Sequence, residues 1–233
     1  MRTWLSIRLD ADVDVHAALN CGASAFMLDP GAIDDASARD ASRRRARRFL
    51  SLCSDSAQSP RAYLRAAPQA EIFYADMAAL MQESAARQLL AGAWAPLDRA
   101  GAESQRLAAR LAVVEATLGL PDGALRVVAD IAAPAALFGL GALARGAQRL
   151  AALTYDEAAL RAALGVGADA AALHCARGSV ALAAAAAGVP ALIGQSPSDA
   201  DVAATCRCAR AHGFGGIFVA QTQHAAIAAE IFR

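Results

Sequence analysis

Eight short runs of β-forming residues alternate with Ala-, Leu- and Arg-rich helical stretches from one end of this chain to the other, and that alternation restricts the fold more than any other feature. The strand-like runs fall at 4–9, 24–29, 62–67, 92–97, 125–131, 149–155, 190–194 and 216–220. Helical stretches follow them at 11–20, 34–52, 70–90, 101–119, 134–145, 156–188 (broken near Gly165), 198–212 and 224–232. Strands joined only through helices pair in parallel, because each connection must cross back over the sheet. Eight such units are the number at which a parallel barrel closes, so the sequence predicts one (β/α)8 barrel over residues 1–233. An open doubly wound sheet is the other architecture that the same alternation produces.

Punctuation along the chain agrees. Gly22, Gly92, Gly119, Gly188 and Gly213 stand where helices are expected to end, a position that tolerates a left-handed backbone. Pro121-Asp122-Gly123 forms a turn before the fifth strand. Asp156 and Asp199 are placed to cap the free N–H groups of helix starts.

Composition matters mainly for what it excludes. Acidic and basic residues balance at 22 each, so no overall field draws the protein to nucleic acid or to an anionic membrane. All of the basic residues are Arg. Without lysine, Schiff-base aldolase chemistry, pyridoxal-phosphate catalysis and a Walker-type nucleotide site are chemically ruled out. The longest apolar run, residues 180–194, is shorter than the ~20 residues of a membrane span and is interrupted by Gly188 and Pro190. Five cysteines without framework spacing, and no charged start leading into an apolar segment, point to a cytoplasmic protein with free thiols.

Particular segments carry a family resemblance. His174-Cys175-Ala176-Arg177-Gly178-Ser179-Val180, followed by Ala187-Gly188-Val189-Pro190-Ala191, and the closing run Ala209-Arg210-Ala211-His212-Gly213-Phe214-Gly215-Gly216 form the strongest match. Upstream, in order, come Ala18 to Asp29, Tyr63-Leu64-Arg65 and Leu118 to Gly123. Together they resemble the citrate lyase β-subunit-like (HpcH/HpaI aldolase) superfamily over nearly the whole chain. The resemblance implies a (β/α)8 barrel and carbon–carbon lyase or aldolase chemistry. A small carboxylate or an acyl-CoA thioester would be the ligand, with Mg²⁺ as cofactor. A homo-oligomer is expected.

The scaffold motifs are kept while most chemical ones are replaced. Family members hold magnesium with a Glu ending the fifth strand and an Asp after the sixth, a typical oxygen-ligand pair for that ion. Those positions read here as Ala132 and Ala159, and a methyl group ligates nothing. The family's LEDAV acids become Pro30 to Asp34, its LPKVE lysine falls at Leu97, its IHP becomes Ala220-Gln221-Thr222, and its first-strand VPG becomes Ile7-Arg8-Leu9. Arg65 is retained, at a position that grips a substrate carboxylate in the family, and a guanidinium fork suits that task.

Active sites of such barrels lie at the C-terminal ends of the strands. The polar groups expected there are Arg8, Asp29, Arg65, Asp130, Tyr155, Asp156, Gln195 and Gln221. Substrate binding is expected of Arg65, Arg8, Asp29 and Asp156; no residue stands out as the catalytic one. Asp130 shares the strand face of Ala132, so it is either a displaced metal ligand or the partner of Arg65 or Arg8. Arg8 and Asp29 also suit a plain structural ion pair. These features leave a non-catalytic carboxylate-binding barrel or a partner subunit as the alternative to an enzyme.

Other tempting features have simpler explanations. The run Arg43-Arg44-Arg45-Ala46-Arg47-Arg48 follows acids at 34, 35 and 40, so it reads as a solvated helical face with Asp35–Arg39 and Asp40–Arg44 pairs rather than a nucleic-acid patch. Cys206 and Cys208 fall two apart in a helix and point to opposite sides. His174 beside Cys175 has no acidic third member nearby. His224 opens the last helix, where a cap or surface group is expected. Gly139-Leu140-Gly141 lies within a helical stretch, not after a strand, and so is no dinucleotide loop.

Overall fold

The computed structural model describes residues 2–31, 35–54, 60–194 and 201–232. Its strands are β1 (Arg2–Arg8), β2 (Ala25–Asp29), β3 (Arg61–Arg65), β4 (Leu90–Leu97), β5 (Arg126–Ile131), β6 (Leu150–Tyr155), β7 (Ala191–Gly194) and β8 (Gly216–Val219). Between and after them run α1 (Val15–Asn20), α2 (Ala36–Ser54), α3 (Ala70–Met81), α4 (Ser84–Leu89), α5 (Ala100–Leu118), α6 (Pro134–Leu137), α7 (Leu140–Arg145), α8 (Glu157–Leu164), α9 (Ala171–Ala186), α10 (Val202–Ala211) and α11 (Thr222–Ile231). Every neighbouring pair of strands is parallel, and β8 pairs with β1 from Arg2↔Gly216 to Leu5↔Val219. That last ladder closes the barrel and removes the open-sheet alternative. Among the described residues no helix is long and apolar enough to cross a membrane.

Strand alternation builds two cores. Trp4, Met27, Tyr63, Trp94, Val128, Ala152 and Leu192 face inward and fill the barrel, with Trp4 stacked on Tyr63 at 5.1 Å between ring centroids. Their neighbours in sequence, among them Leu5, Phe26, Leu64, Val127, Leu153 and Ile217, face outward and meet the helices. On α2 the buried positions Ser42, Ala46, Phe49, Leu50 and Cys53 repeat at helical spacing, which is why this Arg-rich segment docks on the barrel along one side.

Several local expectations change. The stretch 70–90 is two helices, and 134–145 is divided at Phe138-Gly139. Gly92 ends no helix: it lies inside β4 with φ at +151°, where a Cβ would stand 1.8 Å from the Arg126 carbonyl oxygen. Asp156 caps α8 by accepting from the Ala159 N–H at 2.9 Å. Asp199 lies outside the described residues, and α10 is capped by Asp201. The pairing expected along α2 is also different. Arg39 and Arg43 both bind the buried Asp76 of α3, at 2.5 and 2.8 Å, and Asp40 turns to Arg43 rather than Arg44. Asp35 accepts from the Ala38 N–H at the helix start instead. The reason is geometric: α3 presents a buried carboxylate that must be paired, which outweighs exposed i,i+4 contacts.

Candidate functional site

Arg65 is the last residue of β3 and lies beside Trp94 in the ladder to β4. Its guanidinium carbon sits 5.0 Å from the centre of the Trp94 ring, a cation–π arrangement. Its Nη1 also donates to both oxygens of Asp29, at 3.1 and 3.3 Å. Asp29 ends β2 and is itself fixed by the Gly31 N–H at 2.8 Å. The guanidinium is therefore held from two sides, while neither bond to Asp29 uses Nε or Nη2.

Below it opens a cavity of about 390 Å³ at the C-terminal mouth of the barrel, lined by Arg65, Trp94, Pro96, Asp130, Thr154, Asp156 and Phe218. Ala132 and Ala159 line the same cavity, so the two positions that the resemblance assigns to metal ligands do face the mouth. A second hollow of about 700 Å³ shares Arg65 and Pro96 and extends along Gly31, Arg39, Arg43, Gln69 and Ile72, between α2 and α3. Arg65 stands between the two.

Asp130 is the most perturbed group of the site. It is buried, and the Thr154 hydroxyl donates to its Oδ1 at 2.6 Å. Burial pushes its pKa up to about 7; Thr154 opposes the rise, Asp156 adds to it and Arg65 opposes it. Near neutral pH this carboxyl is thus divided between its protonated and ionised forms. The arginine pairing expected of it is not the one observed: Asp130 bonds to Thr154, not to Arg65 or Arg8.

Arg8 is corrected as well. Although it is the register partner of Asp29, its side chain is 71% exposed and pairs with Asp10. Asp29 is the partner of Arg65 instead. Tyr155 ends β6 but points outward, its hydroxyl donating to the Leu173 carbonyl at 3.2 Å under Phe214. Gln221 precedes α11 and is exposed, and Gln195 lies outside the described residues. Cys206 is buried and Cys208 exposed, on opposite sides of α10. Trp94, Thr154 and Phe218 were not singled out by sequence. Alternation within a strand was the available signal for Thr154, which stands two residues after the inward Ala152 on β6 and so shares its face.

For a hard cation the donor set is thin. Asp130 is desolvated and already bonded, one oxygen of Asp156 caps α8, and the remaining candidates are the methyls of Ala132 and Ala159. Among the described residues no group of three or more His, Cys, Asp or Glu side chains is arranged to hold a metal ion.

The class these observations define is a (β/α)8 barrel with an arginine and a buried, protonatable carboxyl at the C-terminal mouth. Solved structures share the fold. Malate synthase of Haloferax volcanii, in a pyruvate/acetyl-CoA ternary complex, superposes with a TM-score of 0.84 at 18% identity, over 99% of this chain and 69% of that one. RipC from Yersinia pestis gives 0.70 at 18% identity, over 100% of this chain and 95% of that one. Protein CitE from Mycobacterium tuberculosis, in complex with magnesium and acetoacetate, gives 0.69 at 19% identity, over 100% and 90%. The barrel implied by the sequence resemblance is therefore the one observed. No family model and no curated protein matches the sequence.

Proposed function

We propose that this chain is a citrate lyase β-subunit-like barrel that binds a carboxylate, free or carried on a thioester, at its mouth, and that it does so without the family's magnesium site. The observation carrying this is the position of Arg65, braced by Asp29 and Trp94 at the rim of a cavity lined by Ala132 and Ala159, the positions that the resemblance assigns to metal ligands. Carboxylates accept two parallel bonds from a guanidinium fork, and bracing one edge pre-orients the other. Two of the fold neighbours are complexes with small oxo acids, one of them also with acetyl-CoA, which fits that ligand class.

A metal-free proton-transfer site is a second reading, favoured by Asp130 alone. A carboxyl with a pKa of about 7 in the same cavity as Arg65 can give or take a proton at neutral pH. Enolate stabilisation would then rest on Arg65 and on the neutral carboxyl.

The test is a thermal-shift screen with glyoxylate, acetoacetate, oxaloacetate and acetyl-CoA, followed by titration of the best ligand. Arg65→Ala is expected to weaken it by about tenfold to a hundredfold, as for loss of a charged hydrogen bond. Arg65→Lys is expected to lose nearly as much, since it keeps the charge and not the fork. Equal binding by wild type and Arg65→Ala makes the arginine structural and removes the proposal. Calorimetric titration with Mg²⁺ or Mn²⁺ is expected to give no site tighter than roughly millimolar. A stoichiometric site abolished by Asp130→Ala restores the metal-dependent lyase.

A further inference from the structure

The Arg-rich run on α2 does not behave as the evenly paired face that its sequence suggests. Arg43 is committed to Asp76 and Asp40, and Arg47 approaches Glu83 at 3.9 Å. Arg45 donates to the Leu9 carbonyl at 2.9 Å, with Asp12 a further 3.8 Å contact. Arg44 and Arg48 remain. They are one helical turn apart, both exposed, and neither has an acidic partner within salt-bridge distance among the described residues, because Asp40 has turned away. Like charges at this spacing weaken a helix unless something neutralises them.

These two side chains line a groove of about 490 Å³ between α1 and α2, with Arg45 beside them and Val13, Val15 and Leu52 supplying apolar surface. Asp12 at the rim is fully exposed, so the guanidinium groups outnumber the one carboxylate three to one. The groove shares no lining residue with the mouth cavity.

We infer that this groove is a second ligand site, for a small phosphorylated molecule whose phosphate is held between Arg44 and Arg48 and whose apolar part rests on Val13, Val15 and Leu52. Guanidinium forks match phosphate geometry, and two of them one helical turn apart without acidic partners can share one phosphate. Nucleic acid fits less well: a balanced chain with a pI near 6.9 lacks the long basic track that neutralises successive phosphates.

The full-length protein, titrated calorimetrically at low salt with inorganic pyrophosphate and with ADP, tests this. Both are expected to saturate one site, ADP more tightly because it adds an apolar part. In the double variant Arg44→Gln/Arg48→Gln the affinity is expected to fall by about tenfold or more. Arg65→Ala is expected to bind both probes as the wild type does. The substituted side chains are exposed, so an unchanged melting curve is expected. Should it change, Arg44→Lys/Arg48→Lys, which keeps the charge but not the fork, is expected to show a partial loss. The inference is overturned by lack of saturation at about 10 mM, by unchanged binding in both double variants, by loss in Arg65→Ala, or by a short DNA duplex that outcompetes ADP.

Discussion

Asp130→Asn is expected to make this protein more stable at pH 8 while leaving its stability near pH 4 unchanged. The carboxyl has a folded-state pKa of about 7 against an ordinary value of 3.8, so between these values the folded state holds a proton that the unfolded state releases. Its favourable contribution is fully present below about pH 3.8 and is lost as pH rises through about 7. At about 1.4 kcal/mol per pH unit, the interval corresponds to roughly 4 kcal/mol of pH-dependent stability. Asparagine keeps an oxygen to accept the Thr154 hydroxyl and carries no charge, so its profile over this range is expected to be flatter. Urea denaturation from pH 4 to 8 measures both proteins. Parallel profiles would mean that Asp130 is not the group responsible.

A single methyl at Gly92 is expected to act in the opposite direction, as a severe destabilisation. The Cβ would stand 1.8 Å from the Arg126 carbonyl oxygen and 2.6 Å from its nitrogen. Gly92 and Arg126 are direct partners in the β4–β5 ladder, so neither backbone can yield without breaking pairing on both sides. The backbone angle, +151°, adds strain for any side chain. Gly92→Ala is expected to lose at least about 4 kcal/mol, in the range reserved for disrupted cores, or to yield no folded protein. Gly119→Ala is the control: its φ is +65° but nothing lies within 4 Å of the added carbon, so the loss should be only about 1–2 kcal/mol. Comparable urea midpoints for the two variants would refute the steric account.

How much of this was legible beforehand differs by level. Strand positions agree with the sequence pattern to within two residues, because alternation of apolar side chains and helix-ending glycines are local signals. Arg65 and Ala132 reach the mouth because strand ends, once located, define one end of a parallel barrel, and Ala159 reaches it from the first turn of α8, just after β6. Even the break near Gly165 was readable, that residue having a left-handed conformation at the end of α8.

The sequence by itself thus determined the elements, their parallel pairing and which residues end the strands. Only the tertiary structure decided who partners whom. Arg65 takes Asp29, 36 residues away, and Asp130 takes Thr154, 24 residues away; Asp40 leaves Arg44 for Arg43, because Asp76 of another helix orients that side chain. Such choices depend on strand register, on barrel closure through β8 and β1, and on which carboxylates become buried. Burial is a property of the assembled fold, and the cost of leaving a buried charge unpaired exceeds any preference between exposed neighbours on one helix.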